Sequence, residues 1–510
     1  MKPIFTKSFG ITFAACLILI TGKIQAHQDH VCPDDFPDSP ILPGHIDQHD
    51  IASGKLTFKE VATAGERLFV GRFNVCDGQG RPATTGAGDK RAVSKHAFIR
   101  TSAPESNSCA GCHAQPEPGG AGDFVANVFV LAQALDPVTY SVDAVFSNER
   151  NTLGMHGSGA IEMLSREMTV DLQSQVAKLA DGTHMLTTKG VEFKVRIVNG
   201  DVVASQGIDT DLVVKPFHQS GVVISLREFT VNAMNHHHGM QGEERFDLNP
   251  AKGFDTDFDE DGVYRELTIG DVTATTIWQA ALGVPGRVMP KNDRDHKQAM
   301  RGEKIFAEVG CTLCHVPEMH LNSRDFVEPN PFNPEGTCSN FDVCPEYRFD
   351  MTVKGEWPRL ERTASGGAVV RAYTDLKRHN LCDAVTDPNP IRYFCNEKLA
   401  QGRPDQDGRP GAEFFITRKL WDVGNTAPYG HRGDLTTITE AILVHGGEGR
   451  ASRDAFVARS IKDQTAVVKF LKTFQILSAE NVDRFIAFPV VDQSGLLNFF
   501  NKFQVLPDNN

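Results

Sequence analysis

Apolar and polar positions along this chain follow two rhythms. Phe58, Val61, Leu68 and Phe69 recur on a helical period and predict a helix over about 57–70. The stretch from His296 to Glu308 predicts a second helix of the same kind. The two are related: Ala64-Gly65-Glu66-Arg67-Leu68-Phe69 is matched by Arg301-Gly302-Glu303-Lys304-Ile305-Phe306. Further helical patterns begin at Ala160-Ile161-Glu162-Met163-Leu164 and cover 170–179, 226–235, 272–281, 437–444, 463–473 and 494–503. Strand-like pieces at 191–198, 202–205 and 222–225 are short and broken by glycine. The apolar run from Asp123 to Leu135 opens as a strand or a buried helix. The pattern predicts a mainly α fold with a small β element and loop-rich insertions, notably at 71–107 and 317–407.

Punctuation in the chain suggests its divisions. Gly283-Val284-Pro285-Gly286 and Pro290 mark a linker, giving expected domains at 27–290 and 291–510. Residues 1–26 have the form of a cleaved secretory signal. Lys2 and Lys7 precede an apolar run from Phe9 to Thr21, and Ile24-Gln25-Ala26 offers a small residue for cleavage. The run is shorter than the ~20 apolar residues a spanning helix needs. Cys16 lies inside the run, which argues against a lipoprotein. Export to the periplasm is the expectation.

Each repeated helix precedes the same short motif. Cys109-Ala110-Gly111-Cys112-His113 and Cys311-Thr312-Leu313-Cys314-His315 both have two cysteines three apart, with a histidine directly after the second. That is the attachment signature of a c-type haem: thiols bond the porphyrin vinyl groups and the histidine reaches the iron. A tetrahedral zinc site wants four ligands, usually as two separated pairs, and no companion pair matches either motif. Two such motifs behind two related helices predict two cytochrome c-type haem domains, with two covalently bound haem c groups.

Composition changes the picture only at its edges. The 510 residues are 40% hydrophobic and 23% charged, ordinary for a globular protein. The formal net charge of -13 argues against a nucleic-acid partner and is compatible with a basic redox partner. Of 11 cysteines, Cys16 leaves with the signal and four hold haem. Six remain, and an even remainder in an exported protein suggests three disulfides. The expected pairs are Cys338–Cys344, Cys382–Cys395 and Cys32–Cys76, the alternative being free buried thiols.

What the irons do depends on their second axial position. A strong sixth ligand makes an electron-transfer haem, whereas an exchangeable position admits peroxide. His156, His218, the cluster from His236 to Met240, and His431 with His445 are the candidate regions. Three consecutive histidines point about 100° apart on a helix, so at most one or two can face one haem. Peroxide cleavage also needs an acid–base group near the distal oxygen. Glu162, just after the glycine-rich turn 152–159, is the first candidate, ahead of Glu243 and Glu244. Asp257-Phe258-Asp259-Glu260-Asp261-Gly262 has the alternating carboxylates and turn glycine of a calcium loop. Its twelfth position is Thr268 rather than Glu, so the EF-hand pattern is incomplete and a plain acidic loop is the alternative.

Asn425-Thr426-Ala427-Pro428-Tyr429-Gly430-His431-Arg432-Gly433 and Val444-His445-Gly446-Gly447-Glu448 complete the set of motifs. Together with both haem signatures and the turn and helix at 154–164, they resemble the bacterial di-haem cytochrome c peroxidase and methylamine dehydrogenase maturase superfamily. The resemblance is closer to its di-haem oxidoreductases, the peroxidase-like or "thiol oxidoreductase" family. It implies His445 as the second ligand of the C-terminal haem, making a bis-histidine pair with His315. Such a pair generally has a lower potential than His/Met. Arg432 stands where the family's motif carries Asp. The resemblance also implies calcium between the haem domains, for which Asp257, Asp259 and Asp261 are the residues present.

The expected function is a periplasmic di-haem oxidoreductase of the peroxidase type. Electrons from a small redox protein, a cytochrome c or cupredoxin, would enter at the C-terminal haem. They would pass to the N-terminal haem, where hydrogen peroxide is reduced with Glu162 as proton donor. The alternatives are a di-haem electron carrier without turnover and haem-dependent oxidation of an organic or protein substrate. The oligomeric state is open, a homodimer being one option.

Overall fold

A computed structural model describes residues 40–42, 44–79, 106–122, 125–127, 149–246, 263, 265–334, 336–338, 344–353, 359–395 and 414–476. The expected signal at 1–26, the acidic loop with Asp257, Asp259 and Asp261, and the expected helix at 494–503 lie outside the described residues.

The internal repeat is two helix pairs. Helix α1, Phe58–Val70, opens on a Thr57/Glu60 capping box that satisfies the free amides of its first turn. It buries Val61, Gly65, Leu68 and Phe69. It packs on α4, Ile269–Ala281, which Thr268 and Asp271 cap in the same way. Helix α5, Asp293–Glu308, is capped by Asn292 and buries Ala299, Gly302, Ile305 and Phe306. It packs on α8, Ile461–Leu471, which Ser460 caps.

Each pair crosses at the repeated glycine. A Cβ at Gly65 would lie 2.0 Å from the Ala274 carbonyl oxygen, and one at Gly302 would lie 1.9 Å from that of Ala466. Only a residue without a side chain lets the backbones meet this closely. The conserved spacing then delivers Phe69 and Phe306 to equivalent places. Phe69 sits 6.3 Å from the His113 ring and Phe306 sits 6.1 Å from the His315 ring.

Between the helix pairs lies the β element. Strands β1 (Gly182–Thr188), β2 (Val191–Val198) and β3 (Asp201–Ser205) form an antiparallel meander. Val191, Phe193, Val195 and Ile197 point inward and alternate with exposed Glu192, Lys194 and Arg196. Its turns are Lys189-Gly190 and Asn199-Gly200, all four residues with positive φ, which suits the twist of tight hairpins. The first strand was not expected, and 222–225 contributes only a bridge between Phe217 and Val223. Helix α2, Ser158–Val176, joins the two helical pieces expected at 160–164 and 170–179. Helix α3, Leu226–Ala233, runs on into a π-helical turn, Met234–His238.

The fold is mixed rather than mainly α: among the described residues about 35% is helix and 17% strand. The difference lies in segments read as plain loop. Residues 319–328, 347–350, 361–370, 378–380 and 414–416 make small two- and three-stranded sheets. Their strands are two to four residues long, too short to show a period of two. Two disulfides, Cys338–Cys344 and Cys382–Cys395, staple this region as expected. Cys76 is disulfide-bonded too, while Cys32 lies outside the described residues.

The cores do not follow chain order. The first joins residues from Ile51 to Ala280 with Met319, Phe326, Ile416 and Trp421. The second gathers Ile305, Phe306, Tyr373, Ile438, Phe456, Phe470 and Phe474. Among the described residues no helix is long and apolar enough to cross a membrane.

The glycine crossings give a direct test. Ala at either glycine gains helix propensity worth ~1 kcal/mol but drives a methyl into a backbone carbonyl. Gly65→Ala and Gly302→Ala are each expected to lower stability by about 1–3 kcal/mol net, read as a drop in the denaturant midpoint. An unchanged or raised midpoint would show that the helices separate at no cost.

Candidate haem sites

Both cysteine motifs fold the same way. Each is a short 3-10 turn, Cys109–Gly111 or Cys311–Leu313, in which the histidine amide donates to the first cysteine's carbonyl, at 2.9 and 3.0 Å. None of the four motif cysteines is in a disulfide. Burial pushes Cys109 and Cys311 up to about 12, so neither is held as a thiolate.

The histidines are oriented alike as well. His113 Nδ1 lies 3.0 Å from the Leu153 carbonyl oxygen, and His315 Nδ1 lies 3.0 Å from that of Tyr373. A carbonyl at that distance selects the Nδ1–H tautomer and leaves Nε2 as a ligand atom. Burial pushes both imidazoles down to about 4, so they are neutral at pH 7. Tyr373 adopts φ +53, a costly value for an aromatic residue, in the backbone that presents this carbonyl.

Each histidine faces a cavity. Phe69, Met155, Ile161 and Phe229 make the first largely apolar, and His218, His237 and His238 also line it. His238 Nδ1 is 2.7 Å from the Ser106 carbonyl oxygen and its Nε2 is 3.3 Å from Cys109 Sγ. His218 packs on Phe229 at 5.6 Å. The second cavity contains His315, His379, His431 and His445. His445 Nδ1 is 2.7 Å from the Ala441 carbonyl oxygen, and burial lowers its pKa. His431 is caged by Tyr393, Phe394 and Phe415, with ring centroids 4.9–5.3 Å away. Free cysteine pairs, pre-oriented neutral imidazoles and apolar walls fit a haem in each cavity.

The cavities are neighbours. Asn151–Gly154, Gln219 and Ile416–Lys419 line both of them. Three stretches of chain therefore form a wall common to the two sites, the strip 416–419 among them.

Several expected site residues lie elsewhere. Glu162 lines neither cavity. Its carboxylate is fully buried and accepts from the Leu226 amide at 2.8 Å and from Asn330 Nδ2 at 2.9 Å. The helical register puts Ile161 on the cavity wall and turns Glu162 away from it. Glu244 pairs with Arg227 and accepts from the Cys338 amide, and Glu243 pairs with Arg265. His156 is buried with its Nε2 3.5 Å from Glu117, and Met240 belongs to the main core. None of these lines either of the two cavities.

Sequence reasoning also missed a cluster beside Cys314. His379 Nε2 lies 2.8 Å from Asp375 and its Nδ1 2.8 Å from Glu448. Burial opposes protonation there, but Asp375, then Cys314 and Glu448, hold the imidazole up to about 11. Cys314, Asp375 and His379 lie within 4.8 Å of one another and could hold a metal ion. Cys314 belongs to the attachment motif, however, and the carboxylates are already engaged by an imidazolium. The sequence clue was Glu448, closing the His-Gly-Gly-Glu stretch.

Residues 367–474 match the family described as "Di-haem oxidoreductase, putative peroxidase". The matched segment includes His379, Arg418, Lys419, His431, His445 and Glu448, and with them most of the second cavity beyond its cysteine motif. Solved structures also align. Hydrazine synthase of Kuenenia stuttgartiensis is 13% identical with a TM-score of 0.32, covering 84% of this chain and 95% of its own. A MauG-like protein associated with microbial copper homeostasis is 13% identical with a TM-score of 0.35, covering 89% and 98%. No curated protein matches.

The buried network around Glu162 has a pH signature. Arg227 is fully buried and pairs with Glu244 at 2.7 Å and Glu328 at 2.9 Å. Burial, opposed by Arg227 and reinforced by Glu162, pushes the Glu328 carboxyl up to about 7. A carboxyl raised on folding contributes stability at low pH and loses it as pH climbs from its ordinary 4.5 through about 7. Glu328→Gln removes that titration. Urea midpoints against pH are expected to slope downward less steeply in this variant across the window; parallel curves would count against the assignment.

Proposed function

We propose that this chain is an exported di-haem c-type oxidoreductase of the peroxidase type. It would reduce hydrogen peroxide or a similar small oxidant with electrons from a small redox protein, a cytochrome c or cupredoxin. The observation that carries this reading is the pair of like-built cavities with a common wall between them. Cys109 and Cys112, and Cys311 and Cys314, would form the thioethers, with His113 and His315 as proximal ligands. When bound, the haems supply one-electron storage at one site and reduction of the oxidant at the other.

The protein's own side chains divide the labour. The Leu153 and Tyr373 carbonyls orient the proximal imidazoles and raise their basicity. His445 shares the cavity of His315 and, as a second imidazole, would close that site to small oxidants. In the first cavity the oxidant needs a proton donor within hydrogen-bond reach. Glu162 is turned away, so we assign that role to the group His218, His237 and His238, which lines the cavity. Glu162 instead holds Leu226, at the start of the helix that leads to His237 and His238. Calcium at Asp257, Asp259 and Asp261 remains an expectation from the sequence.

The same three histidines favour a second reading. If one of them saturates the first site firmly, the chain is an electron carrier without turnover. Carbon monoxide and peroxide binding separate the two. The reduced holoprotein is expected to bind carbon monoxide at one haem, and failure of the mixed-valence and fully reduced forms to bind either ligand would leave the carrier reading. His445→Ala is expected to turn the C-terminal haem high-spin in the ferric spectrum. An unchanged low-spin spectrum would pass the ligand role to His431.

A further inference from the structure

The strip between the cavities carries two cations. Its backbone is pinned from both sides: the Ile416 amide donates to Gln219, Thr417 to Lys377 and Leu420 to Ala372, at 2.9–3.0 Å. Arg418 and Lys419 follow, and both residues line both cavities. The Lys419 side chain is 8% exposed, and its ion pair is with Asp422 at 3.4 Å. Arg418 has no hydrogen bond or ion pair among the described residues and feels Asp422 only at longer range. Burial lowers the pKa of both groups from their ordinary values.

Two cations against one carboxylate is an unbalanced wall. Both residues are largely but not fully buried, and cations so placed are poorly compensated by one carboxylate, so an anion from outside the chain should complete the wall. Hydrogen peroxide is neutral and supplies none. A haem tethered through its vinyl groups carries two propionate carboxylates elsewhere on its rim. Guanidinium and ammonium groups are natural partners for carboxylates.

We propose that Arg418 and Lys419 receive propionate carboxylates of both haems, so that one pair of side chains serves the two groups together. This rests on the di-haem reading. It gives the strip an electrical role as well as a structural one. A cation beside a haem favours the reduced state, whose net charge is lower by one. Because the two residues line both cavities, their charge should act on both potentials with the same sign.

The test uses the full-length holoprotein with Arg418→Gln and Lys419→Gln, compared with the charge-keeping Arg418→Lys and Lys419→Arg. Pyridine haemochrome counts haems per chain, spectroelectrochemistry resolves the two midpoint potentials, and resonance Raman reads the propionate bending bands. Each Gln variant is expected to lower both potentials and shift propionate bands of both haems, while the charge-keeping variants hold the potentials near wild type. A fall in only one potential, a fall in neither, or unmoved propionate bands overturns the proposal. If Arg418→Gln does not fold, Lys419→Gln decides by the same criteria. Fewer than two haems on the wild-type chain would instead defeat the di-haem reading itself.

Discussion

Everything near the cavities depends on two helix crossings too close for any side chain. At Gly65 and at Gly302 one helix rests on the bare carbonyl edge of another. The crossing fixes where each helix ends relative to its partner. That in turn sets the distance from Phe69 to His113 and from Phe306 to His315, nearly equal in the two halves. The repeated Gly-Glu-x-x-Phe pattern is therefore a packing device before it is a mark of ancestry. It keeps two aromatic rings and two cysteine turns in one geometry while everything between them differs.

The differences are concentrated in what each half adds around the cavity that its motif histidine, His113 or His315, lines. In the first half a buried ionic network secures the helix that leads to His237 and His238 on the cavity wall. Arg227, Glu244, Glu328 and Thr273 are linked directly, and Glu162 and Asn330 extend the contact to helix α2. Such a network contributes little net stability over an apolar core, but removing one member leaves a buried charge unpaired. Its value here is geometric: it fixes one helix against two others. In the second half the same task falls to a short helix, Ile438–Leu443, whose Ala441 carbonyl holds His445 and whose start is fixed by a Thr437/Glu440 capping box.

These contrasts explain what could be read from sequence. The cysteine turns, the repeated helices and two disulfides were legible because each is local, set by residues within one turn or one short loop. The role of Glu162 was not. A helix start beside a glycine turn is visible in sequence, but which face looks into a cavity depends on tertiary rotation, and one residue's step separates Ile161 on the wall from Glu162 behind it. The small sheets at 319–416 were illegible for another reason. Strands of two to four residues carry no period, and they are held by pairing to remote partners such as Val369 with His320. His379 escaped notice because its two carboxylates come from positions 4 and 69 residues away, and only the nearer lies within a helical turn's reach.

The placement of charge along the shared strip follows from the same packing. Gly154 is one of the residues common to both cavities, and a Cβ there would fall 2.2 Å from Asp422 Oδ2. Gly157 likewise admits the ring of Trp421, where a Cβ would fall 2.2 Å from Cζ3. The glycine-rich turn at 154–157 thus lets the segment 416–422 settle directly onto the N-terminal half. Arg418 and Lys419 are carried between the cavities by that contact. Their positions are a consequence of backbone approach, with the cations following where two glycines let the chain come close. A bulkier turn would hold the strip away and would remove the common wall. The common wall of the two cavities and the close fit of 154–157 on 416–422 are then two aspects of one contact.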